Sequence, residues 1–78
     1  MIPSHTKAVI DRYVRDHCPT GGFLYAVLTN DLFEAVARAD EYNRECLSDI
    51  CEYIQTHIPS IAWGNPEKVR QWLEPYKP

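Results

Sequence analysis

Cysteine and histidine are the residues in this chain best suited to metal binding or nucleophilic chemistry. They are His5, His17, Cys18, Cys46, Cys51 and His57. Two ligands on one helix need a spacing of three or four residues to point the same way, as in the HxxxH pattern. Cys46 and Cys51 are five residues apart, so on a helix their side chains point about 140° away from each other. We therefore expect no metal site and interpret the cysteines as buried free thiols.

The usual signatures of an enzyme are also missing from the sequence. There is no Gly-x-Ser-x-Gly motif and no Cys/His pair that the spacing brings together. Gly21 and Gly22 precede a predicted helix, where backbone amides can bind an anion, but no phosphate-loop lysine follows and a tight turn explains both glycines. A chain of this size has little room for a concave pocket. We predict a non-enzymatic protein that needs no cofactor.

Acidic side chains line one side of the central part of the chain. Placed at 100° per residue from Leu32, they fall opposite the apolar positions. They are Glu34, Glu41, Glu45, Asp49 and Glu52. Such a row is usually a solvated surface, and it is also a candidate for binding a basic protein or for imitating a nucleic-acid backbone. Tyr42 and Tyr53 join this candidate partner-binding set, because exposed tyrosines often anchor protein interfaces.

A smaller basic cluster favours an alternative, nucleic-acid binding. It consists of Lys7, Arg12 and Arg15 on the first predicted helix and Lys68 and Arg70 on the last. Consecutive short helices also resemble a helix-turn-helix in outline. The whole chain carries 11 acidic and 8 basic residues, for a net charge of −3. This balance disfavours binding that depends on neutralising phosphates.

Asn43 is the most informative polar residue of the central segment. Its angle of about 20° places it in the middle of the apolar arc, with Asp40 at the edge of the same face. A buried amide without a partner costs about 1–3 kcal/mol. We expect Asn43 to tie down a helix end or a loop backbone near residues 29–31 or 63–65. A ligand-facing role and an exposed dimer face are the alternatives.

Three further polar residues are predicted to begin helices. Asn30 is expected to be the N-cap of the central helix, with the charge of Asp31 in its first turn. Asn65 is expected to cap the last helix, since proline follows at the first helical position and Glu67 lies in the first turn.

Periodicity predicts an all-α fold, a compact bundle of four to five short helices around a central amphipathic helix. The first helix covers Ser4–His17, with Ser4 as N-cap, and the second covers Phe23–Leu28. The central helix covers residues 31–58, either continuous or split near Asp40 with its phase retained. Its apolar arc contains Leu32, Val36, Ala39, Cys46, Leu47, Ile50 and Ile54. The loop at residues 60–64 is expected to pack over the core, and the last helix ends before Pro75.

Length and composition predict a single helical domain over residues 1–78. A chain of 78 residues buries only about 60% of its unfolded surface, so its stability is marginal and self-association would help it. No window approaches 18 uninterrupted apolar residues, and the first residues do not form a signal peptide. An odd number of cysteines without a CxxC pair is typical of the cytoplasm.

A longer pattern runs through most of the chain after residue 20. It reads GGFLYAVLTNDLFEAVARADEYN, then IPSIAWGNPEKVRQWL. The pattern resembles a set of small uncharacterised helical proteins of phages and prophages, in which G-x-F-L-x-A-V-L-x-N-D-L is followed by A-D-x-x-N and W-G-[SN]-P-x-x-V-x-x-W. The resemblance implies a phage or mobile-element source and carries no activity with it.

These observations favour a protein that works by binding another protein. The phage-type pattern, the acidic row and the many aromatic residues together suggest an inhibitor of a host defence complex, such as an anti-CRISPR protein, in the host cytoplasm. The alternatives are a nucleic-acid-binding regulator and a structural homo-oligomer such as a homodimer.

Overall fold

The computed structural model describes residues 1–76, and these residues form an all-α fold, as the periodicity predicts. Six α-helices and one 3₁₀ turn follow one another without a strand in this range. They are α1 (Ser4–Asp16), α2 (Gly22–Leu28), α3 (Leu32–Arg38), α4 (Glu41–Glu45), α5 (Leu47–His57), the 3₁₀ turn (Ser60–Ala62) and α6 (Pro66–Leu73). None of these helices is long and apolar enough to cross a membrane.

A single core joins residues from both ends of the chain to the centre. Its buried members are Ile10, Tyr13, Leu24, Leu28, Ile50, Ile54, Ile58, Ala62 and Val69. Tyr13 connects α1 to the C-terminal segment twice. Its hydroxyl donates a hydrogen bond to the Ala62 carbonyl at 2.7 Å, and its own carbonyl accepts one from Trp72 Nε1 at 2.9 Å. The two chain ends therefore cover the core together, through specific polar contacts as well as apolar packing.

The predicted central helix is divided into three. Ala39 and Asp40 are extended, with ψ angles of 136° and 176°, and they separate α3 from α4. Cys46 separates α4 from α5, although Cys46 N–H still bonds to the Tyr42 carbonyl at 3.2 Å. Asp40 stabilises the first break because its carboxylate accepts a hydrogen bond from Asn43 N–H at 2.8 Å, as an N-cap.

The prediction that Leu32 and Val36 belong to the core is wrong. Leu32 is 60% exposed and Val36 is 38% exposed, whereas Ala39 of the same predicted arc is buried as expected and Ala35 is buried beside it. Because the chain is broken at Asp40, α3 can rotate about its axis independently of α5. The side of α3 that is buried therefore need not be the side that continues the Ile50 face of α5. Small side chains at positions 35 and 39 then allow α3 to pack closely.

Two predicted N-caps lie one residue away from those observed, and α2 begins at Gly22, one residue before the predicted Phe23. Pro3, not Ser4, is the N-cap of α1, and no side chain caps that end. Asp31, not Asn30, is the N-cap of α3 and accepts a hydrogen bond from Glu34 N–H at 3.4 Å. Asn30 instead terminates α2 in the left-handed region, with φ 65°.

The end of α2 explains the conformation of Asn30. Asp31 N–H bonds to the Ala26 carbonyl at 2.9 Å, and Asn30 N–H bonds to the Val27 carbonyl at 3.1 Å. These two hydrogen bonds form a Schellman motif. The motif needs one residue in the left-handed conformation, for which glycine is the most common choice and asparagine the next. Asn30 therefore ends one helix, and the next residue begins another.

The segment after α5 packs on the core only in part. Ala62 is fully buried, and Gly64 N–H bonds to the Leu28 carbonyl at 2.7 Å. Trp63 is half-buried, but Ile61 is 66% exposed, so the predicted packing of the loop at residues 60–64 over the core holds only in part. The start of α6 is the one that the sequence predicts, because Asn65 accepts a hydrogen bond from Lys68 N–H at 2.9 Å and Pro66 follows it.

Candidate protein-binding surface

Four of the five predicted acids share one side of α4 and α5. Glu41, Glu45, Asp49 and Glu52 follow one another at steps of four, four and three residues, and all are exposed. On a continuous helix this spacing corresponds to about 80° of arc. Cys46 joins the two helices: its N–H bonds to the Tyr42 carbonyl of α4 at 3.2 Å, and its carbonyl accepts Ile50 N–H of α5 at 2.9 Å. We call these four residues the acidic stripe.

Glu34 does not belong to the acidic stripe. It lies on α3, beyond the break at Asp40, and its Oε1 accepts a hydrogen bond from Arg38 Nε at 2.9 Å. Asp49 lies within the stripe and pairs with the Met1 amino group, also at 2.9 Å. That hydrogen bond raises the pKa of the amino group. Ion pairs between such exposed groups contribute little to stability, but they reduce the local negative charge.

The other three acids of the stripe lie apart from the basic side chains that the structure describes. Within residues 1–76, neither Glu41, Glu45 nor Glu52 forms an ion pair. Three uncompensated carboxylates on one helix face produce a local negative potential that attracts a basic surface.

The two candidate tyrosines have different surroundings. Tyr42 is 73% exposed next to the stripe, so its ring is available to a partner. Tyr53 is half-buried, and its hydroxyl donates a hydrogen bond to Asp11 Oδ1 at 2.6 Å. This bond raises the pKa of Tyr53 and lowers the pKa of Asp11. Tyr53 thus joins α5 to α1, while Tyr42 remains as the aromatic contact of the stripe.

Asn43 is half-buried and forms a specific hydrogen bond, but not with the predicted loops. Its Oδ1 accepts the Thr6 hydroxyl at 2.7 Å, so the amide connects α4 to α1. Thr6 is 4% exposed. The partner lies 37 residues away in the sequence, which is why helical periodicity could show that a partner is needed without identifying it.

We predict that Asn43→Ala lowers the free energy of unfolding by about 1–2 kcal/mol, because the buried Thr6 hydroxyl loses its acceptor. Urea denaturation measures this directly. In a double-mutant cycle with Thr6→Val, the two effects should couple by about 1 kcal/mol. Strictly additive losses would show that the two side chains do not depend on each other.

Sequence reasoning missed an exposed apolar face on α3. Phe33 is 87% exposed beside Leu32 and Val36, the two residues predicted to be buried. Phe33 falls 100° from Leu32 and was outside the predicted apolar arc. The signal that could have revealed this face is the pair Ala35 and Ala39, whose spacing of four residues offers α3 a second, smaller buried side.

The residues considered for catalysis and metal binding are dispersed. In the part of the chain that the structure describes, no three His, Cys, Asp or Glu side chains lie close enough to hold a metal ion. Cys18 is buried, and Cys46 and Cys51 are half-buried free thiols. Burial raises the pKa of the Cys51 thiol.

An open cleft of about 480 Å³ lies between α2 and α3, next to Gly21 and Gly22. Several of its polar side chains bond to other groups of the protein. The Thr29 hydroxyl donates to the Tyr25 carbonyl at 2.9 Å, and Arg38 bonds to Glu34. This arrangement provides no activated nucleophile.

No known protein family matches the chain, and no curated protein or solved structure is significantly similar to it.

Proposed function

We propose that this protein acts by binding another protein, and that the acidic stripe with Tyr42 is the contact surface. The observation that carries the proposal is a set of three exposed carboxylates, of Glu41, Glu45 and Glu52, that have no ion-pair partner within residues 1–76. A partner with a basic patch complements this charge, and the ring of Tyr42 supplies apolar contact area at low entropic cost.

The finer proposal is that the partner belongs to a host defence complex and that the protein is a phage-type inhibitor, such as an anti-CRISPR protein. It rests on the phage-type sequence pattern and on the capacity of a row of carboxylates to imitate nucleic-acid phosphates. Such a mimic would compete with nucleic acid for a basic groove on the defence complex.

The pairing of the basic residues supports protein binding over nucleic-acid binding. Lys7 bonds to Asp11 at 3.3 Å and Arg15 to Asp16 at 3.0 Å. Arg70 bonds to Glu67 and to Glu74. Most of the cationic charge considered for DNA contact is therefore balanced locally, which weakens attraction to phosphates.

The test compares two triple variants that change the net charge equally. Glu41→Gln, Glu45→Gln and Glu52→Gln neutralise the stripe, whereas Asp16→Asn, Glu34→Gln and Glu74→Gln neutralise three acids elsewhere. Each exposed charge pair is worth about 0.2–1 kcal/mol, so losing three should weaken binding about 10-fold. Affinity capture from bacterial lysate, followed by titration of the captured partner, measures the difference.

The proposal predicts that the wild type and the second variant capture the same partner with similar affinity and that the stripe variant binds it about 10-fold more weakly. Equal capture by both variants contradicts the acidic stripe as the contact surface. In bacteria with active CRISPR immunity, expression of the protein should raise the plating efficiency of a targeted phage, and an unchanged efficiency would contradict the finer proposal. A shift of labelled duplex DNA at low salt would instead support the alternative.

A further inference from the structure

One face of α3 is apolar, exposed and uncharged. Leu32, Val36, Phe33 and Ala37 follow one another around the helix over about 140° of arc, and all four are exposed. The charged residues of this helix, Glu34 and Arg38, lie on the other side and pair with each other. We call this surface the α3 face.

The α3 face carries a projection and a depression on opposite sides of Leu32. The projection is Phe33, which is 87% exposed. The depression has a volume of about 60 Å³ and is lined mainly by apolar side chains, with Leu32 and Ala35 on one side and Leu47 and Cys51 of α5 on the other. Asp31, the charged residue of its lining, already accepts a hydrogen bond from Glu34 N–H.

We propose that the α3 face binds a second copy of this chain and forms a two-fold symmetric dimer. In an isologous contact, residue i of one subunit meets residue j of the other, and the reverse contact forms at the same time. A two-fold axis near Leu32 and Val36 brings Phe33 of each copy into the depression of the other. One surface thus provides both the projecting ring and the site that receives it.

The size of the surface fits a weak dimer. A phenylalanine presents about 150–250 Å² of area, so Phe33 at 87% exposure contributes on the order of 150 Å². With Leu32 and Val36 the patch reaches roughly 300 Å², a size that on monomers is often functional. A specific interface begins near a total of about 1,000 Å², or about 500 Å² per copy. Leu47, Cys51, Asn30 and Ala37 surround the patch and enlarge the surface that a second copy would cover.

Charge favours a second copy at this face and disfavours one at the acidic stripe. Each chain carries a net charge of −3, so two acidic stripes repel each other. On α5, Cys51 at the depression and Asp49 of the stripe are about 160° apart around the helix. The dimer therefore leaves both stripes accessible, and this inference does not depend on the proposed binding of a basic protein.

Sedimentation velocity and light scattering over a concentration series test the proposal. The average mass of the wild type should rise from 9.1 kDa towards twice that value as the concentration increases through the micromolar range. Phe33→Glu should raise the dissociation constant about 30-fold, as expected for an aromatic anchor at the centre of an interface. Ile61→Glu is the matched control, because it adds the same charge at another exposed apolar side chain and should leave the dissociation constant unchanged.

A photo-cross-linking experiment tests the contact itself. A variant with p-benzoylphenylalanine at position 33 keeps an aromatic ring there, and irradiation of mixed isotopically light and heavy chains should join position 33 of one copy to residues 47–51 of the other. Circular dichroism of each variant checks that its helices are retained.

Three results would overturn the proposal. The first is a wild type that keeps a mass of 9.1 kDa at the highest concentration. The second is a dimer equally sensitive to Phe33→Glu and Ile61→Glu, and the third is a cross-link to another surface. A monomer whose capture of a different protein requires Phe33 would assign the α3 face to that protein instead. The two proposals can fail separately. A stripe variant that still dimerises but loses capture, or a Phe33→Glu variant that loses the dimer but keeps capture, would distinguish them.

Discussion

Replacing Tyr13 with alanine is expected to lower the free energy of unfolding by about 4 kcal/mol. The ring is 1% exposed, and aromatic-to-alanine changes in a core typically cost about 3–5 kcal/mol. The substitution also removes the donor to the Ala62 carbonyl. A chain of 78 residues has a total stability of roughly 4–12 kcal/mol, so this one change can remove most of it. Urea denaturation followed by circular dichroism measures the loss.

Tyr42→Ala is the matched control for this prediction, because it makes the same substitution at a side chain that is 73% exposed. Its effect should stay within about 0.5 kcal/mol. Tyr13→Phe should cost about 1–2 kcal/mol, the penalty of leaving the Ala62 carbonyl without its donor. If Tyr13→Ala cost no more than Tyr42→Ala, Tyr13 would not be the junction between α1 and the C-terminal segment.

Alkaline pH should destabilise the protein by about 3 kcal/mol through the same residue. Burial raises the pKa of Tyr13 to about 12, whereas an unfolded tyrosine titrates near its usual value of about 10. The folded state therefore favours the neutral phenol. Its contribution is complete below pH 10 and is lost as the pH rises from about 10 to 12. Urea midpoints at a series of alkaline pH values measure the loss.

The control for the pH effect is Tyr13→Phe. This variant keeps Tyr53 and Cys51, whose pKa values are also raised, and removes only the phenol of Tyr13. Its stability should fall less steeply than that of the wild type above pH 10. Parallel curves for the two proteins would show that Tyr13 titrates normally. Absorbance of the phenolate in the near ultraviolet should show that Tyr13→Phe removes a tyrosine that ionises near pH 12 in the folded wild type.

The local signals of the sequence were sufficient where a helix end depends on neighbouring residues. The start of α6 is an example, since Asn65 caps the backbone three residues ahead and Pro66 occupies the first turn. The end of α2 shows where such signals become ambiguous. Asparagine suits both an N-cap and a left-handed C-terminal position, and the hydrogen bond from Asp31 N–H to the Ala26 carbonyl decides in favour of the second.

The acidic stripe could be predicted from the sequence because its four residues recur at helical spacing and all occupy exposed positions of α4 and α5. The α3 face could not, because its orientation depends on a break at Asp40 that periodicity left open. Because the chain is extended at Ala39 and Asp40, the buried side of α3 is not fixed by the orientation of α4 and α5. It buries Ala35 and exposes Leu32 and Phe33. Hydrophobicity alone would have predicted the opposite, because leucine and phenylalanine are more hydrophobic than alanine.

The sequence by itself determined the helical class, the outer helices α1, α2 and α6 to within one residue, and four of the five acids of the predicted row, because these depend on contacts within a few residues along the chain. Only the tertiary structure decided that Asn43 bonds to Thr6, that Tyr13 bonds to Ala62, and that Phe33 faces outward. The two bonded pairs are separated by 37 and 49 residues. The physical reason is that helical periodicity specifies which residues share one face of a helix. The packing of helices against each other decides which face is buried and which residues it contacts.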